Sequence, residues 1–330
     1  MVYNIDRKQN KGGAKMPTDG YVVVIGGLNL DLAGLCGNIY RERDSNIGKI
    51  RMTVGGVGQN IAQNLVKLNV PTYLITVYGD DYFGKILSEE CKNNNIHLDY
   101  SECIPNEKSS SYLYVTDDKG DMVTAVNDMK ILEYMTPEFL GTKIDFINKA
   151  SLCVIDGNVS KESIEWLAEH CMVPIFADPV SVAKMTRFQN VLKRIDTFKP
   201  NELEAGLMTG IDIVDEKTAQ EAARALNEKG IRNVFISLGE KGILCSRDGE
   251  ISIVPILPSN IVSVNGAGDC SMATIAWAGF YYKDKLSLKE IGQLTQAAAS
   301  LTVEAEESVS PKLSVENVIE RAKRFGDLDR

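Results

Sequence analysis

Histidine is nearly absent from this chain: His97 and His170 are the two in 330 residues. That is too few for a histidine metal centre or a Ser-His-Asp triad, so any catalysis has to rest on carboxylates and backbone groups. CxxC pairs are missing as well. The seven cysteines, Cys36, Cys91, Cys103, Cys153, Cys171, Cys245 and Cys270, are odd in number and irregularly spaced, which argues against a disulfide framework or structural zinc and suits a reducing compartment. There is no run of about 18 apolar residues free of charge or glycine. The start, "MVYNIDRKQNKGGAKMPTDG", has no apolar signal-peptide core, so cytoplasmic residence and no membrane partner are expected. A basic surplus is lacking too. With 36 Lys and Arg against 45 Asp and Glu the net charge is -9, and sequence-independent nucleic-acid binding, which needs a basic footprint, is not expected. An anionic ligand would have to be held locally, by backbone N–H groups at helix starts.

Apolar residues make up 44% of the chain, enough for a substantial core. Residues 1–20 mix Gly, Lys and Pro without periodicity and read as a flexible leader. From about Tyr21, short β-branched runs ("YVVVIGG", "PTYLITVYG", "SLCVIDG", "VPIFADP", "IDTFKPN", "RNVFISLG") alternate with helical patterns such as "GQNIAQNLVKLNV" and "DEKTAQEAARALNEKG". In the first helical pattern Ile61, Leu65 and Leu68 fall at i, i+4 and i+7, on one face. Strands that alternate with amphipathic helices imply an α/β fold with a mostly parallel central sheet covered on both faces. Two stretches, residues 32–54 and 97–128, break the rhythm. They read as a few antiparallel strands standing off the main sheet as a small lid.

Two glycine motifs mislead. "GDDYFGKI" spaces Gly79, Gly84 and Lys85 like a phosphate-binding loop, but Ile86 replaces the required Ser or Thr and two aspartates sit in the loop. "GGVGQN" misses a dinucleotide fingerprint because position 61 is isoleucine. Read instead as a turn into a helix, Gly55, Gly56 and Gly58 let a ligand approach the backbone, with Asn60 either a helix cap or a hydroxyl ligand. Asn29 and Asp31, at alternate positions after a buried strand, suit the hydroxyls of a polyol or else bond their own loop. Asn201 and Glu204 form either a capping box or a pair that arranges water and magnesium. "VNGAGD" runs into an almost uncharged helix. Gly266, Ala267 and Gly268 can turn N–H groups inward as a nest for developing negative charge, and Asp269, ionised at neutral pH by its ordinary pKa of about 3.9 and favoured further by the helix start, can accept a proton from a substrate hydroxyl.

Taken in order, "GGLNLD", "GGVGQN", "YGDDYFG", "KPNELE", "SLGEKG" and "NGAGD" resemble the ribokinase-like (PfkB) family of carbohydrate and nucleoside kinases, over about residues 21–315. The resemblance implies a three-layer α/β sandwich with a β-stranded lid, ATP and Mg²⁺ as cosubstrates, Asp269 as catalytic base and an anion hole at Gly266–Gly268. It further implies that Asn29, Asp31, Gly55, Gly56, Gly58 and Asn60 bind the acceptor, with Ser111, Tyr112 and Asn127 of the lid toward a base. Asn201, Ser237, Gly239, Gly242, Asn265 and Gln296 would lie at ATP, and Glu204 would reach magnesium through water. "SSSYLYVTDDKGDMVTAVNDMKI", "VIDGNVS", "FADPVSVAKM" and "SVSPKLS" are most like members that phosphorylate pseudouridine at its 5′-hydroxyl. Ribose, fructose, uridine or adenosine as acceptor, or a sensor that binds without turnover, are the alternatives. Ser263-Val264-Asn265 replaces the Asp-Thr-x triplet behind which many members hold a monovalent cation, so K⁺ is left open. Lid strands with exposed edges lead us to expect a homodimer.

Overall fold

The computed structural model describes residues 20–328. The expected leader therefore lies, but for Gly20, outside the described residues. In chain order the strands are β1 Val22–Ile25, β2 Asn29–Cys36, β3 Gly48–Gly55, β4 Thr72–Ile75, β5 Val77–Gly79, β6 Glu102–Ile104, β7 Ser111–Thr116, β8 Met122–Asp128, β9 Leu152–Asp156, β10 Ile175–Asp178, β11 Ile195–Phe198, β12 Asn233–Ser237, β13 Ile243–Arg247 and β14 Glu250–Val254.

The main sheet runs β14-β13-β12-β11-β10-β9-β1-β4. Pairing is parallel from β4 through β12 and antiparallel for β12–β13 and β13–β14. Strand β1 shows why the sequence reads as continuous apolar runs. Val22 and Val24 enter the core on one face, Val23 and Ile25 the core on the other, and all four are shielded from solvent. Each such aliphatic side chain contributes about 1.5–3 kcal/mol on burial, so no polar face survives. The expected helix forms over Val57–Lys67 with Ile61 and Leu65 buried, and it packs on the helix Ala267–Tyr282. That second helix is buried on nearly all sides from Cys270 to Ala278, which accounts for its uncharged sequence.

The lid is a separate sheet of order β3-β2-β7-β8. It departs from expectation in two ways. Its central pair, β2 with β7, is parallel; the chain leaves the lid after β3 and returns at β7 only after a long excursion through helices and other strands, so no tight turn forces an antiparallel return. Residues 97–110 are not lid at all. His97 bridges Tyr73 at the edge of the main sheet and β6 pairs with β5. Among the described residues no helix is long and apolar enough to cross a membrane.

Candidate active site

Residues from the two ends of the chain meet where the lid joins the carboxyl edge of the main sheet. Gly56, at φ 101°, turns the end of β3 into the helix Val57–Lys67, and a Cβ there would stand 2.5 Å from the Gly27 carbonyl oxygen and 2.9 Å from Asn29 Oδ1. Only glycine fits. Gly58 lies against the backbone of Gly26 and Gly27, and Gly55 leaves room for the Asp31 carboxylate. The turn presents Asn60, whose Nδ2 donates to Asp269 Oδ2 at 2.8 Å across 209 positions of sequence. Asn29 Nδ2 donates to Asp31 Oδ1 at 2.6 Å. Asp31 is raised to about 6, chiefly by burial, with the Asn29 amide opposing.

Asp269 stands in the first turn of the helix Ala267–Tyr282, whose N-cap Gly266 is left-handed at φ 76° and packs on the carbonyl of Ser308. The Gly268 and Asp269 N–H groups precede the first helical bond, which Cys270 N–H gives to the Gly266 carbonyl at 2.8 Å, so they are open donors of a helix N-terminus. The expectation that this terminus holds Asp269 at a low pKa is overturned. Burial first, and the neighbouring Asp178 carboxylate second, raise it to about 7 against the lowering effects of Asn60 and Lys199. Asp269 keeps partial contact with solvent while protein crowds it on all other sides, as on the floor of a cleft.

Three charged groups the sequence reading passed over complete the floor. Asp156 and Asp178 end the adjacent strands β9 and β10 in register. Asp156 ties Gly27 N–H at 2.8 Å and Asn158 N–H at 2.7 Å. Lys199, in "KPNE", pairs with Asp178 at 3.1 Å, with side-chain exposures of 6% and 8%. Its Nζ lies 3.7 Å from the Cβ position of Gly268, beside the open helix start. Burial alone would lower the Lys199 pKa, but Asp178, Glu204 and Asp269 together raise it, so the cation is secured. The signal for both aspartates was their place at the carboxyl ends of buried parallel strands, where open α/β sheets bind ligands. Val180 follows Asp178 with φ 67°, a strained conformation for a β-branched residue, and its N–H donates to Asp178 Oδ1 at 2.9 Å.

The capping box is present: Asn201 Oδ1 accepts from Glu204 N–H at 2.9 Å and Glu204 Oε2 from Asn201 N–H at 2.8 Å. This leaves Glu204 one carboxylate oxygen beyond the cap, and burial, ahead of every other influence, raises its pKa. Asn201 bridges Ser237, and Gly239 and Gly242 shape the turn into β13 with φ of 56° and 101°. Asn265 is exposed, on the loop whose Val262 and Ser263 N–H groups both bond the Val303 carbonyl. Gln296 is buried on the helix Leu288–Val303. In the lid, Tyr112 is paired with Asp31 on one side and Asn127 on the other, so the three share a face. Ser111 does not. It pairs with Leu30 and Asp128, and strand alternation turns it to the opposite face.

Residues 19–314 match the pfkB family of carbohydrate kinases. The chain belongs to that family. It is 35% identical to pseudouridine kinase of Escherichia coli strain K12, over 91% of this chain and 95% of that one. It is 29% identical to an uncharacterized sugar kinase of the same strain, over 91% and 82%. The fold matches that of Arabidopsis thaliana ribokinase complexed with ribose and ATP, with a TM-score of 0.78, 22% identity and coverage of 93% and 99%. The protein is thus a ribokinase-like carbohydrate or nucleoside kinase, a phosphotransferase acting on a hydroxyl acceptor.

Proposed function

We propose that this kinase transfers the γ-phosphoryl group of ATP to the 5′-hydroxyl of pseudouridine. The observation that carries the chemistry is Asp269, poised near neutrality and held by Asn60, next to open helix-start N–H groups and the Lys199 ammonium. Asp269 takes the proton of the acceptor hydroxyl as its oxygen bonds to the γ-phosphorus and the bond to the bridging oxygen breaks, releasing ADP. Charge on the transferring group is met by the open N–H groups of Gly268 and Asp269 and by Lys199, while the Ala267 N–H, expected in the same nest, donates to the Val264 carbonyl at 3.4 Å. Asn29, Asp31 and Asn60 grip the sugar hydroxyls, and Asn201, Ser237, Gly239, Gly242, Asn265 and Gln296 border the nucleotide.

Among the described residues no group of three or more His, Cys, Asp or Glu forms a metal cage. Mg²⁺ commonly needs none, since phosphates and waters supply most of its ligands; the oxygen that Glu204 keeps outside its cap fits that role through water, and the ion would offset phosphate charge. For pseudouridine, support comes from the identity to the Escherichia coli enzyme. A homodimer through the lid is supported by the apolar row Met52–Leu32–Leu113–Val126, on the face turned away from Asp31, in which Met52, Leu113 and Val126 are exposed. Purified protein with Mg-ATP should convert pseudouridine to its 5′-monophosphate, read by mass and by ADP release. Turnover of ribose or uridine beside inertness toward pseudouridine would overturn the assignment.

A further inference from the structure

The aspartates that keep "GDDYFGKI" from holding phosphate grip the chain itself. Asp81 Oδ1 accepts from the Ser109 hydroxyl at 2.6 Å and from the Gly84 N–H at 2.9 Å, and its Oδ2 accepts from the Ser109 N–H at 3.2 Å. Ser109 Oγ in turn accepts from the Gly79 N–H at 2.9 Å, and Asp80 Oδ1 from the Asn106 N–H at 3.0 Å. A Cβ on Gly79 would strike the Glu107 carbonyl, and one on Gly84 the Gly79 carbonyl, so both glycines are needed for the chains to close on each other. As N-cap of the helix Tyr82–Asn93, Asp81 needs only its bond to Gly84. Its two bonds to Ser109 reach across 28 positions of sequence and serve another end.

Ser109 is buried at the root of β7, which begins at Ser111. Between them Ser110 offers its carbonyl to the Leu30 N–H at 3.0 Å, and β7 then runs parallel to β2 with Tyr112 opposite Asp31. A parallel pair has no hairpin turn to set its register. Burial does not set it either, because Leu113 and all of β8 are exposed. A slip of one residue, roughly 3.3 Å of chain, would turn Tyr112 to the outer face. Held at Ser109, the strand has no slack for that slip. The other root of the β7–β8 hairpin is tied to the same place: Tyr134 Oη donates to Glu107 Oε1 at 2.6 Å, and the turn Lys130–Tyr134 packs on β5.

We propose that Asp81 and Ser109 are positioning residues for the acceptor, which fix the register of β7 from the root of the lid and so decide which of its side chains stand on the face of Asp31. The inference rests on the kinase reading above and adds what holds the lid in its binding arrangement. Burial works to raise the Asp81 pKa, but the Ser109 hydroxyl and the Gly84 and Ser109 N–H groups hold it below the usual carboxylate value. The clamp therefore stays charged at neutral pH.

The test compares wild type with four variants. Ser109→Ala cuts the clamp and leaves the helix cap at Gly84; Asp81→Ala removes both. Asp81→Asn keeps an oxygen for the Ser109 hydroxyl and the Gly84 N–H, and Ser287→Ala uncaps a different helix, Leu288–Val303. Each is assayed on pseudouridine, uridine and ribose for acceptor KM, kcat and the KM for ATP, and by hydrogen exchange of β2 and β7 and by melting temperature. Ser109→Ala and Asp81→Ala should raise acceptor KM about tenfold, as a lid in its competent register about a tenth of the time does, with kcat and the KM for ATP little changed. Exchange of β2 and β7 should quicken relative to the main sheet. Asp81→Asn should recover most of the affinity, and Ser287→Ala should lower the melting temperature alone. Acceptor KM and lid exchange unchanged in Ser109→Ala and Asp81→Ala overturn the proposal, as does a matching loss in kcat and in the KM for ATP. If wild type phosphorylates none of the three acceptors, the kinase reading on them falls and lid exchange decides the clamp by itself: faster exchange in both variants upholds it, and unchanged exchange overturns it.

Discussion

The rim of the eight-stranded sheet and the four-stranded lid meet at one cleft but are secured differently. On the rim, Asp156, Asp178 and Lys199 stand at the ends of strands with no solvent-facing side, and Asp269 begins a helix buried on nearly every face. In the lid, every residue of β8 is exposed and Ile50 of β3 is 83% exposed. For the transfer we propose, the rim offers the close packing that a proton-accepting group requires, since misplacing a base by an ångström is costly. In the same proposal the lid would contribute hydroxyl contacts, which set affinity more than turnover. Chemistry would then reside in the part of the molecule with the most buried neighbours, and selectivity in the part with the fewest.

Substitutions on the two sides should separate along that line. Asp269→Asn should lower kcat by about 10²- to 10⁴-fold with little change in KM. It should also raise the melting temperature at pH 8 by about 2 °C or more. The sign follows from linkage: the folded pKa near 7 lies above the unfolded value, so the ionised carboxylate costs stability at higher pH, and a neutral amide removes that cost. Lys199→Met should lower kcat by about 10²-fold and destabilise the fold by about 3–5 kcal/mol, since Asp178 is left buried and alone. Adding Asp178→Asn should restore the melting temperature without restoring kcat. On the lid, Asp31→Ala should act mainly on acceptor KM, by about 10- to 100-fold, as loss of charged hydrogen bonds to a substrate does. Leu113→Lys, on the outer face, should abolish dimerisation in sedimentation velocity while kcat changes least of all. A lid variant that matched Asp269→Asn in kcat with normal KM would erase the distinction.

The main sheet was legible because its strands are buried on both faces, so local composition carries the signal, and the glycine turns at Gly56 and Gly266 were legible because no other residue fits. The pairing of Asp178 with Lys199 was not, since it joins side chains of separate strands that become neighbours only when the sheet forms. Nor was the raised pKa of Asp269. A helix start lowers a carboxylate pKa, and the opposing burial and the nearness of Asp178 arise only in three dimensions. The orientation of Ser111 failed for a different reason: a strand segment shows which residues alternate, but the partner strands decide which set faces the cleft.

The most direct test is the pH dependence of kcat/KM for the acceptor, from pH 5 to 9 at saturating Mg-ATP. A base at about 7 that works as a carboxylate predicts a tenfold fall per pH unit below an inflection near neutrality, steepening below about 6 where Asp31 protonates in turn. A profile flat from pH 9 down to pH 5 would mean that Asp269 is an ordinary helix-start carboxylate and would contradict the account.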